Sequence, residues 1–229
     1  MHRVGPRPEE TKFKELNAEP VYPKDFPEWE DTMTMWGSKM LNALEVVAEM
    51  AAIGLDLDRK AFVNKMKNAP HLLAPTGSDL AKYKDVGTVF AGYHYDLNFL
   101  TIHGKSRFPG LYIWTNKGQK AAVKMPEGCL LLQAGAQLEW LTGGAIKAGM
   151  HEVVVAPTTV AAAKKAQEEG RSLWRVSSTV FGHLASDAIL EPLGQYATEA
   201  AMKKYKKCFV GEQVQAELDT IKLKPNGLA

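Results

Sequence analysis

Gly92-Tyr-His-Tyr-Asp-Leu-Asn-Phe-Leu-Thr101 is the stretch on which the fold turns. Apolar residues alternate through its second half, which predicts a β-strand. Side chains two apart on a strand share a face, so His94 and Asp96 are expected to point together. An imidazole beside a carboxylate supplies two ligands of a 2-His-1-carboxylate iron centre, in which adjacent positions stay open to other molecules. His-x-Asp recurs by chance in many chains. Its weight here comes from the motifs downstream.

His151 is the natural third ligand, on a predicted strand of its own between Gly149 and Val153. His103, nine positions past His94, would face away on an unbroken strand. His71 stands in a proline-marked loop and His2 is terminal; these three read as ordinary surface or core histidines. Arg175-x-Ser177 follows, again two residues apart and so on one face. A guanidinium fork with a hydroxyl beside it is a carboxylate-binding pair. Thr179, Phe181 and His183 continue that face, with His183 expected near the mouth of the pocket.

Around these motifs the chain reads as strands at Val86–His94, Leu97–His103, Leu111–Thr115, Lys120–Lys124, Gly128–Gly135, Gly149–Val155 and Trp174–Leu184. Asn116-Lys117-Gly118 makes a hairpin turn, and the run Cys129 to Ala134 suits a strand covered on both faces. A helical insert is predicted from Thr158, as cap, to Glu169, with Gly170 ending it. Upstream, residues 1–28 read as irregular chain. Glu30–Ile53 reads as a helix with Trp36, Met40, Leu44, Val47, Ala48 and Ala51 on one face. Asp58–Lys67 reads as a short helix capped by Asp58, and Pro70, Pro75 and Gly77 mark a loop. Two helices, Thr198–Lys207 and Glu212–Ile221, close the chain. Many short strands between Gly and Pro turns predict a mainly β sandwich or barrel, not βαβ units.

The 229 residues carry a net charge of +2, which gives no footprint for nucleic acid or an anionic membrane. The Lys203–Lys207 run reads as the solvated C-terminal end of a helix, where positive charge suits the dipole. No apolar stretch is long enough to span a bilayer and no secretory signal is visible, so a cytoplasmic protein is expected. Cys129 and Cys208 are read as reduced thiols.

The ordered set His94-Tyr-Asp96-Leu-Asn-Phe-Leu-Thr101, Gly110-Leu-Tyr-Ile, Pro126-x-Gly128-x-Leu-Leu-Leu-Gln-Ala-Gly135, Leu141-Thr-Gly-Gly144, His151 and Arg175-x-Ser177 resembles the isopenicillin N synthase-like branch of the Fe(II)/2-oxoglutarate-dependent oxygenases. The resemblance covers roughly Leu55 to Leu184. It implies a single oxygenase domain over residues 1–229: an irregular and helical segment at 1–85, a double-stranded β-helix (jelly-roll) core at 86–184, and C-terminal helices at 185–229. It also implies Fe(II) on His94, Asp96 and His151, with the distal carboxylate of 2-oxoglutarate on Arg175 and Ser177. The implied dioxygenase activity couples 2-oxoglutarate decarboxylation and O2 to oxidation of a C–H bond in a small organic substrate.

The chain departs from the family at several points. Leu72-Leu73-Ala74-Pro75 replaces an Asn-x-Tyr-Pro element, so a co-substrate tyrosine is absent. Gln133 and Ala136 stand where Asn and Asp are usual, and Glu152 follows His151 in place of Arg. The helical insert lies where a short loop is usual. The family's usual N-terminal segment is missing, which would leave a sheet edge open to self-association. Two other readings follow from these departures: an iron-dependent oxidase that does without 2-oxoglutarate, and a catalytically weak metal-binding jelly roll.

Overall fold

The computed structural model describes residues 1–221; the last eight residues of the predicted C-terminal segment lie outside the described residues. In chain order the elements are β1 (His2–Val4), α1 (Trp29–Gly54), α2 (Val63–Met66), β2 (His71–Asp79), β3 (Val89–His94) and β4 (Leu100–His103). There follow β5 (Leu111–Trp114), β6 (Lys120–Ala122), β7 (Leu131–Ala134), α3 (Ala136–Leu141), β8 (His151–Val154) and α4 (Pro157–Glu168). The chain continues through β9 (Trp174–Gly182), β10 (Ile189–Leu190), α5 (Glu199–Lys204), β11 (Cys208–Phe209) and α6 (Val210–Ile221).

Two antiparallel sheets make the core. One runs β1-β2-β9-β4-β7, the other β3-β8-β5-β6, and β10 and β11 pair apart. This mostly β architecture with flanking helices is consistent with the expected jelly roll. The Asn116-Lys117-Gly118 turn forms where predicted: Gly118 has φ +73 and its N–H donates to the Thr115 carbonyl at 2.9 Å, closing the β5–β6 hairpin.

Several local expectations need correction. His71–Asp79 is a nine-residue strand, not a loop. Pro75 hid it, because proline cannot donate to a ladder. The sheet tolerates it because β1 pairs with β2 only through His71–Leu73, so the flank beyond Leu73 needs no donor. The irregular first segment supplies β1. Only Leu131–Ala134 is strand in the Gly128–Gly135 run, and Cys129 is exposed. Helix α4 is not capped by Thr158. Pro157 occupies its first turn, and the Thr159 hydroxyl accepts the Ala156 N–H at 3.0 Å.

Helix α1 lies across the five-stranded sheet. Its buried stripe is Gly37, Met40, Leu41, Leu44, Ala48 and Ala52, packed with Leu73, Ile102 and Val180. Trp36, expected inside, is partly exposed and donates its indole N–H to Ser178 Oγ at 2.5 Å. A smaller second core gathers Leu80, Phe108, Val155 and Ala166, so α4 packs against the end of β8 and the loops beside it.

His71 and His183 sit together beneath the sheet, both buried. His183 is absent from the lining of the cavity that Arg175, Ser177, Thr179 and Phe181 share: β9 ends at Gly182, and the buried His183 side chain lines a different cavity. The His183 N–H donates to His71 Nδ1 at 3.0 Å, and His71 Nε2–H donates to the Met66 carbonyl at 3.1 Å. Burial pushes His71 down to about 4 and His183 to about 3. Both are neutral in the fold, whereas in the unfolded chain they titrate near about 6.5. Their stabilisation is complete above that pH and is lost as pH falls toward the folded values. Denaturant unfolding should show about 3 kcal/mol less stability at pH 5 than at pH 6.5 from these two groups. Flat stability across that window would contradict their neutral burial.

Candidate metal and anion site

The site is assembled where the two sheets face each other. His94 is the last residue of β3 and pairs directly with His151, the first of β8. Two register shifts along β3, between Val89 and Ala91 and between Ala91 and His94, bend the strand ahead of that pair. Asp96 is not on the strand. It follows in an irregular segment, so strand parity does not bring it to His94. Backbone pinning does. The Ala136 N–H donates to the Asp96 carbonyl at 2.8 Å and the Gln137 N–H to the Asn98 carbonyl at 3.1 Å. That close approach requires Gly135, since a side chain there would collide with the Asn98 carbonyl.

The result is a triad. Ligand atoms of His94, Asp96 and His151 all lie within 4.8 Å of one another. His94 Nε2 is 3.8 Å and His151 Nε2 3.9 Å from Asp96 Oδ1. The Gly92 carbonyl accepts from His94 Nδ1 at 2.5 Å, and the Gly149 carbonyl from His151 Nδ1 at 3.1 Å. Each carbonyl fixes the proton on Nδ1 and leaves Nε2 a bare lone pair aimed at the cluster. The Thr101 hydroxyl donates to Asp96 Oδ2 at 2.7 Å, which leaves Oδ1 for the two imidazoles. Two lone pairs and a carboxylate oxygen converging without a proton among them fit a cation. Asp96 and His151 are buried, while the His94 side chain keeps 44% of its exposure, so one side is accessible. Burial holds the His151 pKa below its ordinary value, against the opposing pull of Asp96.

A cavity of about 420 Å³ opens from the triad along β9. Alternation on β9 turns Arg175, Ser177, Thr179 and Phe181 toward it, while Val180 points into the main core. Arg175 is 7% exposed, and its Nε is buried without a hydrogen-bond partner. Among the described residues no carboxylate pairs with it. Burial alone lowers its pKa. A desolvated guanidinium left in this state lacks an anion. Lys105, Arg107 and Lys124 also line this cavity, which makes it the basic side of the site.

Three contributors escaped the sequence reading. His103 lines the same cavity, with Nδ1 3.2 Å from Thr179 Oγ1, and burial pushes its pKa down to about 4. The expectation that it faces away fails because residues 95–99 break the strand and reset the parity. Thr101 lay inside the quoted motif without a role. Gln133, noted only as a departure, donates its amide N–H to Asp96 Oδ2 at 3.2 Å and to the Gly149 carbonyl, the acceptor of His151 Nδ1–H, at 3.3 Å. It ties Asp96 to the carbonyl that orients His151. Gln133→Leu is expected to weaken metal affinity by about 10-fold, measured by Fe(II) titration against a competing chelator. Unchanged affinity would deny it that role. Glu152, the other departure, forms an ion pair with Lys120 on β6 and takes no part in the triad.

Residues 70–183 match the 2OG-Fe(II) oxygenase superfamily. Kihadalactone A synthase LFS of Citrus sinensis is 28% identical over 144 residues, covering 56% of this chain and 41% of that protein. The chain thus spans less than half the length of that curated relative. A Caulobacter crescentus protein assigned to the 2OG-Fe(II) oxygenase family superposes with a TM-score of 0.76 at 24% identity, over 95% of this chain and 67% of that one. A full-length Neurospora crassa protein in complex with alpha-KG gives a TM-score of 0.71 at 20% identity, over 89% and 61%. At these identities the structures speak for the fold.

Proposed function

From the premise that residues 70–183 form a domain of the 2OG-Fe(II) oxygenase superfamily, with Fe(II) and 2-oxoglutarate as its cofactors, we propose that this chain oxidises a C–H bond of a small organic substrate. The observation that carries the reading is the buried, unpaired Arg175 on the same cavity as the His94–Asp96–His151 cluster. A dicarboxylate fits that arrangement: one end reaches the metal ligands, the other takes the guanidinium fork and the Ser177 hydroxyl. Bound together, Fe(II) and 2-oxoglutarate supply the oxidising power, with O2 consumed and succinate and CO2 released.

The chain's own residues position and protect. His94, Asp96 and His151 hold the metal, with Thr101 and Gln133 orienting Asp96. Phe90, Phe108 and Phe181 line the co-substrate cavity and limit water around it. His103, neutral by burial, adds polarity without adding charge beside the cations already there. The finer placement, in the isopenicillin N synthase-like branch, is supported by the ordered motifs from His94 to Ser177.

The test is an anaerobic titration of Fe(II)-loaded protein with 2-oxoglutarate, following the visible metal-to-ligand charge-transfer band. A saturable band is expected. Iron uptake without the band would favour the oxidase that does without 2-oxoglutarate, and no iron uptake would refute the metal assignment.

A further inference from the structure

A second cavity, of about 740 Å³, lies on the other side of the triad. His94, Asp96 and Phe181 line both cavities, so the metal ligands stand at the junction, and His151 faces only the first. The two differ in character. The first gathers Arg107, Arg175, Lys105 and Lys124. No Lys or Arg side chain among the described residues lines the second. Its wall is mostly apolar, from Leu16, Leu72, Leu97 and Met150 to Val214 and Leu218 on α6.

The polar side chains of that wall are His94 and Asp96 at the metal end, with Tyr93, Tyr95, Asn98, His183, Ser186 and Glu217 around the remainder. Glu217, on α6, accepts a hydrogen bond from Tyr95 Oη at 3.3 Å across the cavity rim. His183 on the wall is held neutral by its burial. Asp96 is already engaged by Thr101 and Gln133. Glu217 is therefore the charged side chain of that wall with capacity to meet a ligand. Its oxygens accept hydrogen bonds and repel a carboxylate.

We infer that this cavity takes the primary substrate, a largely apolar molecule whose polar handle is a hydroxyl or amine, not a carboxylate, held by Glu217 and Tyr95. The assignment as primary substrate rests on the oxygenase reading above. The volume is that of a site for a drug-sized compound. The partition of charge gives the division of labour: the anionic co-substrate is drawn to the basic cavity, and a neutral or cationic substrate to the acidic-rimmed one.

The experiment uses the full chain with Fe(II) and saturating 2-oxoglutarate under nitrogen, so that Arg175 is already engaged. Three fluorescent probes share one ring system: anthracenemethanol, anthracenemethylamine and anthracenecarboxylic acid. Binding is followed by probe anisotropy. The amine should bind at least about 10-fold more tightly than the acid, with the alcohol between them. Glu217→Lys, at a half-buried position on the rim, should invert the order of amine and acid. Leu72→Trp should weaken all three by filling the cavity. Equal affinities for the three, or an order unchanged by Glu217→Lys, would overturn the assignment. The charge-transfer band in the same sample reads the oxygenase assignment separately. A band with three indistinguishable probes overturns the pocket alone. The predicted order without a band supports the pocket chemistry and overturns the 2-oxoglutarate reading.

Discussion

Arg175→Met should make the metal-free protein more stable while nearly abolishing its affinity for 2-oxoglutarate. The two effects have one cause. In the absence of an anion the guanidinium is 7% exposed, and its Nε is without a partner. A methionine of similar length keeps the apolar contacts of the stem and removes the buried charge, so thermal unfolding should report a gain of about 1–2 kcal/mol. With the co-substrate present the sign reverses. Loss of a buried, charge-assisted partner costs about 3 kcal/mol of binding, or roughly 100-fold in Kd. Arg175→Lys separates charge from geometry: it keeps the cation, loses the fork, and should cost about 10-fold. Unaltered 2-oxoglutarate affinity in Arg175→Met would place the distal carboxylate elsewhere.

His151→Ala should lower Fe(II) affinity by more than about 100-fold, beyond the usual cost of losing a group that merely supports a ligand. The fold should survive. The strand around His151 is held by backbone pairing to His94 on one side and Ile113 on the other, neither of which needs the imidazole. Circular dichroism would confirm the intact sheet, and equilibrium dialysis would count the iron. Stoichiometric iron in this variant would refute the triad. His103→Ala is the informative control. It lies on the same cavity but outside the cluster, so iron stoichiometry should be retained.

How far the sequence could be read depended on whether a residue's role was local. The Asn116-Lys117-Gly118 turn is local, and the hairpin formed as expected. Arg175 and Ser177 are two apart within one regular strand, and alternation alone turns them to one cavity. His94 and Asp96 were paired by the same parity rule, yet their meeting depends on Gly135 and Ala136, forty residues away in the chain. The same break in the strand misled the reading of His103. Strand β2 was hidden by Pro75, whose missing donor matters only if a neighbour is present, and β1 stops short of it. Gln133 reaches Asp96 and the Gly149 carbonyl from a third strand, and Glu217 meets Tyr95 from a C-terminal helix. Neither contact leaves a periodic trace in the sequence.

The small core around Leu80, Phe108, Val155 and Ala166 bears on how the molecule opens. Within it Leu80 N–H donates to the Leu173 carbonyl at 3.2 Å and Arg171 N–H to the Ala166 carbonyl at 2.8 Å, and Val155 N–H joins it to the Thr88 carbonyl at 2.9 Å. A cluster of four buried side chains opens at a fraction of the global unfolding cost, as a cooperative unit of its own. Phe108 belongs both to it and to the basic cavity. Loosening of that core therefore reaches the anion end of the site through Phe108.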